Sequence, residues 1–419
     1  MQRAARAIAA AVCLALVATG CGLTDGQAQV AAPTPEVDGP VLLPPTADAE
    51  GTTGSSDDQA GSADDAAVST DAEPIELEEP PTPTPVPLNL DCLQRRERYT
   101  QLLLPLAVPD DLSIAAQMAA DRQLGGIALL GFPDESLPDR LTEIQQNSFV
   151  PVMIASDEEG GSVQRLSNVL GPLPSAAESA RISSPQDVRE QWVEYGARAK
   201  ALGIDVILGP VVDVGGAPGI GSRSFGDEPV VVTAYGRAVT EGLLEAGVMP
   251  VLKHFPGHGR ASGDSHLGLP VVPSIDELRT SDLVPYVEIV GDHKRDEAGV
   301  MIGHLTVPGL SEDLPTSLSP ETVNGLLRNE IGFGGLVFTD AMNMGAIVER
   351  FGPLEALGLA LEAGSDIVIL GSLNDVAPAL DYLVARADED VAFAALLERN
   401  VWRVLEAKGQ MEICAGASG

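Results

Sequence analysis

The chain has 419 residues, 44% hydrophobic and only 4% aromatic, with 61 acidic against 25 basic side chains and a formal charge of −36. That length suits one large domain with extensions, and that charge argues against a surface built for phosphate backbones or anionic membranes. Neutral or zwitterionic ligands fit it better.

The first residues, MQRAARAIAAAVCLALVATGC, put Arg3 and Arg6 before an apolar run from Ala7 to Val17. This is the layout of a secretory signal, and the run is short for a bilayer span. Small residues lead into Cys21, so residues 1–21 resemble a lipoprotein signal in which Cys21 becomes the lipidated first residue. Ala18 stands where leucine is usual, and ordinary signal cleavage is the alternative. Residues 22–90 carry fourteen acidic side chains and no Lys or Arg among Ala, Pro, Thr and Ser. Such a stretch cannot bury enough apolar surface to offset its ordering entropy, and it reads as a disordered tether stiffened by PPTPTPVP, Pro80 to Pro87.

Residues 91–419 form the expected globular domain. Cys92 and Cys414 flank it, and export would place them in an oxidising compartment. A disulfide joining the two ends and a pair of free thiols both fit the sequence.

Within this domain short apolar, β-branched runs recur: QLLLPLAV from Gln101, GGIALLG from Gly125, VPVMIAS from Val150 and GIDVILG from Gly203. They continue with GVMPVLKH from Gly247, GVMIGH from Gly299, GGLVFTD from Gly334 and SDIVIL from Ser365. The spacers have helical periodicity; PQDVREQWVEYGARAKALG, Pro185 to Gly203, follows a serine pair and ends at glycine. Eight buried strands, each with room for a helix, predict an α/β fold of the (β/α)₈ TIM-barrel type, with a doubly wound open sheet as the alternative.

Polar clusters follow the third, fifth, sixth and seventh runs, at the end of a barrel strand where active sites sit. Asp340 closes GGLVFTD. A carboxylate there can attack an anomeric carbon, or it can merely cap the helix that follows. In KHFPGHGRASGDSHLGLP, Lys253 to Pro270, glycines and prolines predict a loop. Asp264 and His266 are two apart, so in an extended stretch their side chains share one side, and the carboxylate can orient the imidazole for proton transfer. Two alternatives stand for the loop: metal ligation by its three histidines and Asp264, whose spacing matches no standard zinc motif, and structural hydrogen bonding. Lys253, His254 and Arg223 offer donors for sugar hydroxyls; Asp157 and Arg165 add an acceptor and a donor. A surface ion pair for Arg223, and a turn with a solvated helix face for Asp157 and Arg165, are the alternatives.

Together SDEEGGSVQR, GPVVDV, GSRSFG, KHFPGHGRASGDSH, MIGH and FTDAMNMG, in this order over roughly 101–375, resemble glycoside hydrolase family 3, specifically its single-domain β-N-acetylglucosaminidase branch. The resemblance implies a (β/α)₈ barrel that hydrolyses terminal β-linked N-acetylhexosamine with retention. Residue by residue, it places the nucleophile on Asp340 and the acid/base on His266, oriented by Asp264. It places contacts to the non-reducing-end sugar on Asp157, Arg165, Arg223, Lys253 and His254. It implies no metal or organic cofactor. N-acetylglucosamine oligosaccharides are the expected partners, with no nucleic acid, a membrane contact only through the lipid anchor, and a monomeric chain. Two positions depart from the family pattern: LLGFPD ends the second strand where relatives usually show an aromatic followed by Arg-Asn, and Asn343 stands where an acid or small residue is more frequent. With few aromatics for stacking, exo action on short substrates fits best. A phosphorylase or β-glucosidase on the same fold, and a non-catalytic cell-wall-binding lipoprotein, are the competing readings.

Overall fold

The computed structural model describes residues 90–266, 268–292, 297–311 and 313–414. The leader, Cys21 and the tether up to residue 89 lie outside the described residues.

The eight runs become eight parallel strands: β1 Leu103–Ala107, β2 Gly126–Leu129, β3 Met153–Ser156, β4 Val206–Ile207, β5 Met249–Phe255, β6 Gly299–Ile302, β7 Val337–Thr339 and β8 Val368–Leu370. Each neighbours the next in sequence, and β1 also pairs with β8 through Leu103 and Val368. Phe338 of β7 bridges to Ile367 beside β8, which closes the ring. The closed barrel, rather than the open sheet, is therefore the fold. A two-stranded antiparallel hairpin, Glu158–Gly160 with Val163–Gln164, is added after β3.

Strand periodicity explains the closure. Successive side chains point to opposite faces, and the apolar residues divide accordingly. Ile127, Ile154, Ile207, Leu252, Val300 and Val337 pack outward in one core with the surrounding helices. Ala128, Ala155, Val206, Val251, Met301 and Phe338 belong to the other, which takes in the barrel interior and reaches the last two helices. At Gly299 a Cβ would lie 2.8 Å from the Phe338 ring and 3.1 Å from Val251, so glycine there makes room for the largest interior side chain.

The helices that cover the barrel follow the sequence signals. Pro185–Ala201 starts at Ser184, whose hydroxyl accepts from the Asp187 N–H while the Asp187 carboxylate accepts from the Ser184 N–H, a reciprocal cap. Gly203 follows at φ +94°, the left-handed turn that ends it. The segment after β6, Glu321–Glu330, is wound with i→i+5 hydrogen bonds. After β8 two helices, Val376–Glu389 and Val391–Ala407, complete the ring. Among the described residues no helix is long and apolar enough to cross a membrane.

Cys92 and Cys414 are bonded, with Cα atoms 5.5 Å apart at a sequence separation of 322. A cross-link of that span removes much of the unfolded chain's freedom, so Cys92→Ser is expected to lower unfolding free energy by about 2–4 kcal/mol. Urea titration of the wild type and the variant measures this; equal midpoints would show that the link contributes nothing.

Candidate active site

Three inward rows of the barrel continue past their apolar residues into charged ones. Ala155 is followed two residues later by Asp157, Val251 by Lys253 and Phe338 by Asp340, all on interior parity and all at the C-terminal mouth.

Asp340 accepts the Ala341 N–H at 2.7 Å through Oδ1, and its own N–H donates to the Ile302 carbonyl at 3.0 Å. It caps no helix, because the next one, Gly345–Val348, begins with Met344 at its cap. Burial alone would raise the Asp340 carboxyl, but His254, His304, the Ala341 N–H and Lys253 outweigh it and hold the group below its ordinary value. The carboxylate is thus kept ionised with no direct ion-pair partner among the described residues. Its imidazole neighbours are themselves anchored: His304 Nδ1 lies 2.7 Å from Ser317 Oγ, and its Nε2 lies 3.1 Å from the Ala341 carbonyl. Burial lowers the His304 pKa, and the Asp340 charge works against that shift.

Lys253 is the centre of a compensated charge cluster. Its Nζ donates to Asp157 and, at 2.6 Å, to Glu159. Glu159 also receives Arg223 in a two-pronged bond, Nε at 2.6 Å and Nη2 at 2.8 Å. Burial works against charge in both Lys253 and Glu159. Mutual attraction prevails: Lys253 is raised above its ordinary value, and Glu159 is held well below the usual carboxylate range. Arg165 reaches Asp157 at 3.4 Å. The expected sugar-contacting residues Asp157, Arg165, Arg223 and Lys253 therefore form one network, which His254 joins through Nε2, 3.4 Å from Arg223 Nη2. Arg223, with only 16% of its side chain exposed, is not a surface ion pair, and Arg165 is not on a solvated helix face.

Two residues without an assigned role hold this network. Asp213, fully buried, takes His254 Nδ1 at 2.8 Å on Oδ2, and the His254 and His258 N–H groups at 3.2 and 2.6 Å on Oδ1. Glu159, inside SDEEGGSVQR, is the common partner of Lys253 and Arg223. The signal for both lay in the sequence, as polar residues inside GPVVDV and SDEEGG, but nothing local indicates which cation each would meet. Glu158 serves the backbone: its Oε1 accepts from Ser156 Oγ and the N–H groups of Arg165 and Leu166, and its Oε2 from Tyr195 OH. Burial lifts its carboxyl to about 7 despite these donors.

Lys253 is 3% exposed and Glu159 1%. Lys253→Met removes the cation between two carboxylates and is expected to cost about 3–5 kcal/mol, the penalty of an unpaired buried charge. Chemical denaturation measures it; a loss below about 1 kcal/mol would mean that water replaces the ammonium.

The loop carrying Asp264 and His266 is not an extended stretch with both side chains on one side, as spacing suggested. It is a turn in which Asp264 Oδ1 accepts the His266 N–H at 3.0 Å and lies 2.7 Å from His266 Nδ1. A carboxylate two residues ahead closes this turn locally, which an extended backbone cannot do. Burial opposes ionisation of Asp264, but the His266 N–H and ring prevail and lower its carboxyl. Contact with Asp264 fixes Nδ1 as the protonated nitrogen, which leaves Nε2 to exchange protons; the His266 side chain is 64% exposed. Asp264 in turn packs on Gly219, whose φ is +86° and where a Cβ would come within 2.8 Å of the carboxyl carbon. Phe132, from the departing LLGFPD segment, stands 57% exposed beyond β2.

A closed parallel barrel whose mouth joins an ionised buried carboxylate to a fixed array of donors and acceptors, beside a loop-borne carboxylate–imidazole pair, has the parts of a glycoside-cleaving enzyme. Comparison with known proteins places it. Residues 96–407 match the model of the glycosyl hydrolase family 3 N-terminal domain. The β-hexosaminidase LpqI of Mycobacterium tuberculosis is 40% identical over 356 residues, covering 80% of this chain and 90% of that protein. The crystal structure of a family 3 glycosyl hydrolase from Mycobacterium smegmatis superposes with a TM-score of 0.68 at 41% identity, covering 74% of this chain and 96% of that one. A family 3 β-N-acetylglucosaminidase from Paenibacillus superposes at 0.70 with 30% identity, covering 78% and 64%. The chain belongs to glycoside hydrolase family 3.

Proposed function

We propose that this protein is a retaining exo-β-N-acetylhexosaminidase acting on terminal β-linked N-acetylglucosamine of short glycans, peptidoglycan fragments among them. The observation that carries the chemistry is Asp340, buried and depressed in pKa, on a loop whose Ala346 N–H meets the Ser265 carbonyl inside the Asp264–His266 turn. The names of the relatives support the sugar.

In the first step an Asp340 carboxylate oxygen forms a bond to the anomeric carbon as the glycosidic C–O bond breaks, and His266 Nε2–H gives its proton to the departing oxygen. In the second, water gives its proton to His266 Nε2 and attacks the anomeric carbon, which releases Asp340 and the sugar with retained configuration. Asp264 keeps the proton on His266 Nδ1 and stabilises the imidazolium formed in that second step. Lys253, His254, Arg223, Asp157 and Arg165 hold the hydroxyls of the terminal sugar. Because their charges are already paired before substrate arrives, little reorganisation accompanies binding.

Residues 1–21 act as the export signal, Cys21 is the lipid attachment point, and residues 22–90 are the tether to the barrel, with the enzyme on the outer face of the cell membrane. Incorporation of labelled fatty acid that persists in Cys21→Ala would overturn the anchor.

The deciding assay is a panel of aryl β-glycosides. The N-acetylglucosaminide is expected to exceed the glucoside and xyloside by about two orders of magnitude in kcat/KM, the scale on which a site built for a substrate polar group discriminates. Dominant glucosidase activity refutes the assignment. Sugar 1-phosphate as the product in phosphate buffer would replace hydrolysis by phosphorolysis.

A further inference from the structure

Ser265, between the paired Asp264 and His266, does the opposite of His266, which stands in solvent while Ser265 is 3% exposed. Its Oγ lies 3.1 Å from Nε2 of His258, itself 3% exposed, and its carbonyl accepts the Ala346 N–H at 3.3 Å. His258 is not free to follow a moving loop. Its N–H donates to Asp213 Oδ1 at 2.6 Å, and Asp213 grips His254 at 2.8 Å. Ala346 belongs to the short helix Gly345–Val348 that follows Asp340.

We infer that Ser265 and His258 form a latch that positions the acid/base: the buried hydroxyl seats the turn on the sugar-binding array and on the nucleophile's own loop, and so fixes where His266 Nε2 stands relative to Asp340. Burial lowers the pKa of His258, so its ring is neutral at neutral pH. Its Nδ1 has no hydrogen-bond partner among the described residues; an orphaned lone pair is less costly than an orphaned N–H, which places the proton on Nε2, donating to Ser265 Oγ. The latch is thus polar, single-pronged and reversible. Ser265 touches no reacting atom and is a positioning residue.

The inference rests on the role proposed for His266, and the test separates the two. Ser265→Ala is compared with wild type on the β-1,4-linked N-acetylglucosamine disaccharide, whose departing oxygen needs a proton, and on the dinitrophenyl β-N-acetylglucosaminide, whose departing group does not. A displaced acid is expected to lower kcat on the disaccharide about tenfold with KM unchanged, and to alter kcat/KM of the dinitrophenyl substrate, which reports bond cleavage without the later hydrolysis step, less than about twofold. In Ser265→Ala/His266→Ala the loss should equal that of His266→Ala alone, because the serine acts only through the histidine. Equal losses on both substrates, no loss on the disaccharide, or additive losses in the double variant would each overturn the latch. A disaccharide rate unaffected by His266→Ala alone would bring down the acid/base assignment and the latch with it.

Discussion

Asp340→Ala is expected to lower kcat/KM for aryl β-N-acetylglucosaminides by about 10⁴- to 10⁶-fold, the range seen when a covalent nucleophile is removed. The site gives this loss its size. Asp340 sits at the end of an interior row, hydrogen-bonded to Ala341 and surrounded by His254, His304 and Lys253, which hold it ionised. No other carboxylate in the network is free to take over, because Asp157 and Glu159 are committed to Lys253 and Glu159 also to Arg223. Asp340→Asn keeps the shape and removes the charge, so it should lose nearly as much while melting within a few degrees of wild type. Azide added to Asp340→Ala with a dinitrophenyl substrate should restore turnover and yield the α-glycosyl azide, since a small anion entering the vacated space inverts once. A variant retaining above about 1% activity without azide would show that Asp340 is not the nucleophile.

His266→Ala produces the second large effect, about 10²- to 10⁴-fold on substrates with unactivated leaving groups, the contribution of a positioned general acid. Here stability and catalysis separate cleanly. The His266 side chain is 64% exposed and, among the described residues, bonded only to Asp264 in the same turn, so its removal should leave the melting temperature unchanged. Asp264→Asn, which weakens control of the ring's protonation, should fall between wild type and His266→Ala. Equal losses of kcat/KM on disaccharide and dinitrophenyl substrates would assign His266 to sugar binding instead of proton transfer.

Some of this molecule is legible without a structure because the responsible forces are local. Alternation of side chains along a strand is a property of the backbone, so the parity that carries Ala155 to Asp157, Val251 to Lys253 and Phe338 to Asp340 is already written in the chain. Pro185–Ala201 announces itself by Ser184, Asp187 and Gly203, whose hydrogen bonds and dihedral angle span only a few residues. The Asp264–His266 contact is likewise local, though its geometry as a turn was not evident from the spacing.

The remainder depends on strands meeting. Asp213 and His254 lie 41 residues apart, as do no two groups that sequence periodicity can link, yet they are 2.8 Å apart in the barrel. Arg223 is 64 positions from Glu159 and bonds it through two nitrogens. Cys92 and Cys414 stood open between free thiols and a bond until the first and last strands closed on each other.

For this protein the sequence determined the eight strands, the interior parity of Asp157, Lys253 and Asp340, and, through its family motifs, the sugar chemistry. Only the tertiary structure decided the closed ring, the compensation of Lys253 by Asp157 and Glu159, the support of His254 by Asp213, and the burial of Ser265 against His258. The reason is that side-chain direction follows from adjacent dihedral angles, whereas the partner of a buried charge is set by which strands lie side by side, a consequence of packing the whole barrel at once.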